Sequence, residues 1–291
     1  MKMNSIEAYY RKYPLQTMRL SSKKVFSYRY YKHSQSKATV VLLTGGIGLS
    51  DLFYLHFEQF AKDFSVLTFD YQIQFADNAE FAQAVNELLN NLDECVWLIG
   101  QSLGAIVAQI IAKNYPESIN GLVLSNTCSL SKNMNIEAYD HLMKMIESQK
   151  KARKMLSFVP FSLYKKLIKW TVMKKKTAGF TVQENNLMEN LCDTMMKILT
   201  KKYEYHMIDF LIDAKNHFGM TADDFSKFNH KVLLILSEDD NTFNQSCKDA
   251  LIDVMPNPTV VTNITGGHLA LLVKLEKYAD TVSDYIAKRI D

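Results

Sequence analysis

The chain has 291 residues, of which 47% are hydrophobic and 22% charged, with a formal net charge of +3. That length suits one large α/β domain with an insertion or two small domains, and the composition excludes a disordered chain. The small net charge gives no general case for nucleic-acid binding, and the longest apolar runs are strand length, far short of a membrane span.

The opening stretch, MKMNSIEAYYRKYP, lacks the apolar core of a signal peptide. The four cysteines, Cys95, Cys128, Cys192 and Cys247, are widely spaced with no C-x-x-C pair. Both features predict free thiols in a reducing, cytoplasmic protein, with Cys95 packed in the core.

Residues 15–20 and 25–31 read as a β-hairpin around Ser21-Ser22-Lys23-Lys24. Residues 39–43 form a wholly apolar strand, as a central strand covered on both faces requires. Thr44-Gly45-Gly46-Ile47-Gly48 breaks it, and a helix follows to residue 64 with Ser50 or Asp51 as N-cap. Residues 66–69 are the next strand, and 77–92 an amphipathic helix with Phe81, Val85, Leu88 and Leu89 on its apolar side. A strand at 95–99, a sharp turn, a helix ending near Pro116 and a strand at 121–124 continue the alternation. It stops near 129, and helical patterns rich in Met and Lys run to about 228. The alternation then resumes with a strand at 232–236, a helix at 245–254, a strand at 259–264 and a last helix at 271–290. A sheet of βα units carrying a helical insertion is the architecture this order predicts.

The turn after residue 99 is Gly100-Gln101-Ser102-Leu103-Gly104. Strand, G-x-S-x-G and helix in that order hold a serine hydroxyl out of the sheet edge. The glycines are needed because a side chain there would strike the adjoining strand or helix. Ser102 is therefore the candidate nucleophile, which needs a base and an orienting acid. His268 follows Thr265-Gly266-Gly267 just after the last strand, and Asp240 lies in Ser237-Glu238-Asp239-Asp240 just after the strand at 232–236. Both would sit at the carboxyl edge of the sheet beside Ser102, where ligands bind in open α/β sheets. Glu238 and Asp239 compete with Asp240 for the acid role. The alternative acid position, after the strand at 121–124, holds Ser125-Asn126-Thr127 and offers no carboxylate. Backbone N–H groups of Leu103 and Gly46, with Ile47 as the other choice beside Gly46, are the candidate oxyanion donors.

His206, Asp209, Asp213 and His217 share one helical face by spacing, and a solvated polar face is preferred there to a metal site. No constellation is legible around His33, His56, His141 or His230. The insertion interleaves basic clusters (residues 150–154, 165, 166, 169 and 174–176) with Met155, Leu156, Phe158, Val159, Phe161, Leu163, Leu167, Ile168, Trp170 and Met173. One reading is a helix touching anionic lipid or acidic substrate. The reading adopted is a helical lid with its apolar side on the sheet domain and its lysines in water. A Met-rich lid would suit a broad apolar pocket.

Together these residues resemble the α/β-hydrolase family with a helical cap, over 39–128 and 229–290. The resemblance implies an α/β-hydrolase fold, a mostly parallel sheet flanked by helices, with core residues 1–128 and 229–291 and a cap at 129–228. It implies a Ser102, Asp240, His268 triad with Gly46 and Leu103 as oxyanion hole. Three features depart from the family's habit. Thr44-Gly45 replaces His-Gly, no Arg-Gly-x-Gly follows the strand at 66–69, and Asn241 rather than Pro follows Asp240. The shortened segment is similar to the maspardin branch of the fold, whose members lack an intact triad. The expected activity is serine hydrolysis of a small, apolar carboxylic ester or thioester, with no metal or organic cofactor. C–C or amide cleavage on the same triad and a non-catalytic binding module are the alternatives.

Overall fold

The computed structural model describes residues 5–92, 95–174 and 180–290. Its frame is an eight-stranded sheet in the order β1-β2-β4-β3-β5-β6-β7-β8. Strands β1 (Gln16–Arg19) and β2 (Val25–Tyr31) form the antiparallel hairpin, and β2 joins β4 (Ser65–Thr68) antiparallel. All other pairings are parallel, through β3 (Ala38–Leu43), β5 (Cys95–Gln101), β6 (Gly121–Ser125), β7 (Val232–Ile235) and β8 (Thr259–Val261). Their carboxyl ends therefore share one edge. The chain turns to opposite sides of β3 when it adds β4 and β5, so the crevice between the ends of β3 and β5 is a switch point of the sheet.

Every residue of β3, β4, β6 and β7 is buried, because helices cover both faces. Alternate strand residues divide between the two faces. Val41, Leu43, Leu98, Leu122 and Leu124 pack under α3 (Asn78–Leu89), α4 (Leu103–Asn114) and α9 (Gln245–Val254). Val40, Leu42, Trp97, Ile99 and Val123 pack under α1 (Ile6–Lys12), α2 (Tyr54–Phe60), α10 (Ala270–Val273) and α11 (Leu275–Ala287). Asp77 caps α3 by accepting from Glu80 N–H.

Between β6 and β7 stand α5 (Ile136–Phe158), α6 (Phe161–Lys174), α7 (Val182–Ile198) and α8 (Lys201–Asp213). They pack partly among themselves, around Leu156, Tyr164 and Ile208, and partly against the two faces of the sheet. Leu187, Met188 and Leu191 of α7 join the second face, and Met207 and Phe210 of α8 join the first. The apolar residues of α5 and α6 do not all turn inward: Leu156 and Tyr164 are buried, whereas Phe158, Leu163, Leu167 and Trp170 are exposed. The lysines at 175 and 176 lie outside the described residues.

Four local expectations change. The segment after the glycine turn opens as a 3-10 turn, Ser50–Phe53, and α2 ends at Phe60. Asp51 is no cap, because its carboxylate accepts the Tyr10 hydroxyl at 2.6 Å. Strand β8 stops at Val261 rather than 264, and the last helix breaks at Lys274 (φ −96°, ψ 42°). Helix α1, unread in the sequence, packs Tyr9 and Tyr13 against Phe57.

Candidate active site

Ser102 sits between β5 and α4 at φ 53°, ψ −119°, left-handed backbone that a β-substituted residue adopts at a cost. The strain is held in place from the neighbouring strand end. Ser102 N–H donates to Ser125 O (3.0 Å), and the Thr127 hydroxyl donates to Ser102 O (2.8 Å). The glycines do what their spacing predicts. A Cβ on Gly100 would lie 2.5 Å from Gly104 O, and one on Gly104 would lie 2.2 Å from Leu43 O. The start of α4 thus rests directly on the end of β3. Gly104→Ala is expected to lower unfolding free energy by about 1–3 kcal/mol, the usual cost of overpacking, read as a fall in urea midpoint at unchanged slope.

Leu103 opens α4, so its N–H has no intrahelical acceptor and points from the positive end of the helix. The facing turn, 44–48, is fixed by a tyrosine pair. Thr44 O accepts the Tyr71 hydroxyl (2.8 Å), and Gly48 O accepts Tyr71 N–H (2.9 Å) and the Tyr203 hydroxyl (2.7 Å). Burial pushes the Tyr71 phenol well up, so it stays a neutral donor. Tyr71 thus braces the turn in a chain that lacks the Arg-Gly-x-Gly segment. Gly46 and Ile47 lie within this turn.

Of the three consecutive acids, only Asp240 reaches His268 among the described residues. Its Oδ2 lies 3.0 Å from His268 Nδ1, its Oδ1 accepts Thr242 N–H at 2.8 Å, and its side chain is 0% exposed. Burial alone would raise this carboxyl's pKa. The hydrogen bond and charge of His268, with Thr242 N–H, outweigh burial and hold it below its ordinary value. An ionised Asp240 makes Nδ1 the protonated nitrogen and leaves Nε2 with the lone pair. Asp239 turns the other way and accepts Gly266 N–H at 2.9 Å and 3.1 Å, while Glu238 is exposed. Gly266 (φ 139°) and Gly267 (φ 65°) make the bend that presents His268.

Ser102 Oγ and His268 share no hydrogen bond here. His268 Nε2 instead lies 3.3 Å from Gln101 Nε2, which also donates to His268 O at 3.3 Å. Asn126 supplies a contact the sequence hid. Its buried amide donates to Ser237 Oγ (3.0 Å) and Gly267 O (3.0 Å), and its Oδ1 accepts Ser237 N–H (2.8 Å). It ties the loops of Asp240 and His268 to the end of β6, beside Ser102. Only the folded neighbourhood of Asn126, Thr127 and Tyr71 discloses these roles.

Two hollows meet here. One, of about 80 Å³, is lined by Gly45, Ile47 and Gln101 and by apolar Leu52, Phe53, Met188, Leu191, Met195 and Leu272. The other, of about 400 Å³, is lined by Asp240, Asn241, Thr242 and His268, with Thr171 and Val172 of α6 opposite. Val172, Met188 and Leu269 border both. A larger open hollow of about 610 Å³, by Lys24, Gln72 and Tyr203, includes none of Ser102, Asp240 and His268.

The His206 face is not simply solvated. His206 Nε2 is buried without a partner and its ring packs on Phe210, and burial lowers its pKa. Asp209 pairs with Arg153, and Asp213 with His217. No group of three or more His, Cys, Asp or Glu side chains suited to a metal occurs among the described residues. No disulfide joins any of the four cysteines.

The pattern of the family described as serine aminopeptidase, S33, matches residues 46–268. Among solved structures, a thermophilic esterase from Thermogutta terrifontis superposes with a TM-score of 0.75 at 13% identity, over 95% of this chain and 99% of that one. A hydrolase from Pseudomonas aeruginosa gives 0.71 at 16%, over 94% and 98%. The enol-lactonase from Burkholderia xenovorans gives 0.66 at 15%, over 94% and 100%. At these identities the likeness is one of fold.

Proposed function

Because the chain belongs to the serine aminopeptidase, S33, family of α/β hydrolases, we propose that it cleaves a carboxylic ester or thioester through an acyl-enzyme formed on Ser102. His268 Nε2 takes the Ser102 proton as the hydroxyl oxygen attacks the carbonyl carbon. N–H groups of Leu103 and of Gly46 or Ile47 hold the resulting oxyanion. His268 then gives its proton to the leaving alcohol or thiol and activates the water that releases the acid. Asp240 fixes the imidazole tautomer and stabilises its charged form. No step draws on a metal or organic cofactor. The observation that carries this reading is the pairing of buried Asp240 with partly exposed His268, 3.0 Å apart, on the sheet edge that also presents Ser102 in strained backbone.

The hollow of about 80 Å³ supports a short apolar acyl group. The leaving group occupies the hollow of about 400 Å³. In this reading residues 129–228 form a cap, and four cysteines outside any disulfide fit a cytoplasmic setting. Amide cleavage is the second reading, favoured by the family's description as an aminopeptidase.

Labelling with a small fluorophosphonate and turnover of a p-nitrophenyl ester series test the proposal. Labelling is expected, with kcat/KM for the butyrate at least about tenfold above the octanoate, as loss of pocket fit demands. Turnover of peptide amides without esters would favour the second reading. A folded protein that neither labels nor hydrolyses would make this a binding module.

A further inference from the structure

Helix α6 carries a surface that hydrolysis does not use. Its inner side packs Tyr164 and Ile168 against Leu156 and Ile208. Its outer side leaves Leu163 (53%), Leu167 (44%) and Trp170 (58%) exposed, at spacings of four and three residues that place them in one stripe. Phe158, at the end of α5 and just before the bend at Pro160, is 79% exposed. Large apolar side chains grouped in this way on a surface mark an interaction site.

The charge around the stripe selects the partner. From Lys150 to Lys176 the sequence has ten lysines and arginines and no acidic residue, in a chain whose net charge is only +3. Some of these are engaged: Lys150 with Glu147, Arg153 with Asp209, Lys169 with Asp193. Lys151, Lys154 and Lys166 are exposed and enter no ion pair among the described residues. An apolar stripe of Leu, Phe and Trp flanked by lysines matches the boundary between acyl chains and anionic headgroups.

We propose that α6 and the end of α5 seat this protein on anionic lipid bilayers, with Phe158, Leu163, Leu167 and Trp170 entering the interface and the lysines facing the headgroups. The next residues of α6, Thr171 and Val172, line the hollow of about 400 Å³ beside His268. Stripe and hollow thus share one helix, with Val172 on the side of α6 that faces away from the stripe.

The test is co-sedimentation of the full chain with phosphatidylcholine vesicles, with and without phosphatidylglycerol. Tryptophan emission gives a second readout, since of the two tryptophans in the sequence Trp97 is buried at 1% exposure and only Trp170 meets solvent. Binding to the anionic vesicles, a blue shift of emission and release by salt are expected. Leu163→Glu with Leu167→Glu should weaken binding at least about tenfold. Unchanged turnover of a soluble ester, or an unchanged circular dichroism spectrum and melting curve, would show that this variant is folded. Lys154→Glu with Lys166→Glu should weaken binding and flatten its salt dependence. Equal binding to neutral vesicles, or none to anionic ones, overturns the proposal. So does an emission shift elicited by acidic proteins but not by vesicles.

Discussion

Ser102→Ala is expected to abolish fluorophosphonate labelling and to lower kcat about a million-fold, to the background set by binding and the oxyanion donors. The variant should remain folded. The Ser102 hydroxyl makes no hydrogen bond among the described residues, whereas the backbone bonds to Ser125 and Thr127 survive the change. Stability should therefore stay within about 0.5 kcal/mol of the parent, measured by urea titration. His268→Ala should lose as much activity, because nucleophile and base act as one unit and their losses do not add. If Ser102→Ala kept its ester turnover, the acyl-enzyme would have to form elsewhere.

Asp240→Asn should lower kcat about ten-thousand-fold with little change in KM. An amide there turns an N–H toward His268 Nδ1. The imidazole then carries its proton on Nε2, where the lone pair is needed, and no longer has a negative charge beside it when it becomes cationic. Asp239→Asn is the control. Asp239 binds Gly266 N–H rather than His268, so its loss should loosen the loop and move activity far less. A larger effect at Asp239 than at Asp240 would reverse the assignment. The parent's Asp240 pKa is depressed in the folded state, so it stabilises the fold above the ordinary carboxylate pKa. That contribution disappears as pH falls through the folded value, and Asp240→Asn should lack this portion of the acid sensitivity of unfolding.

The sequence disclosed most where one residue type answers one steric demand. Gly100 and Gly104 are legible because no other residue fits 2.5 Å and 2.2 Å from backbone atoms of the next element. The central parallel strands are legible because burial on both faces leaves runs such as Val40–Leu43 and Leu122–Leu124 wholly apolar, with polar residues confined to their ends. Glu238, Asp239 and Asp240 are chemically alike and adjacent, and only the course of the loop decides which carboxylate faces His268. The break at Lys274 and the early end of β8 follow from tertiary packing that no local pattern records. Asn126 was hidden for a stronger reason. Its partners at Ser237 and Gly267 are 111 and 141 residues away, beyond any sequence window. The exposed stripe of α6 was misread because lysines interleaved with leucines look the same whether the leucines face a core or the solvent.

Those long separations at Asn126 also govern when the site comes into being. The turn at 44–48, its Tyr71 brace and the strained serine all belong to the first five strands and the segments that follow them, joined by short loops. Asp240 and His268 arrive only with β7 and β8, after a helical stretch of about a hundred residues has been passed. Contacts that close loops of this length carry a large entropy cost and form slowly. During synthesis, where the amino-terminal part emerges first, the serine is therefore shaped long before anything can deprotonate it. On the proposed mechanism chemistry switches on as the last act of folding, and a half-made chain carries no working nucleophile among the other nascent proteins of the cell.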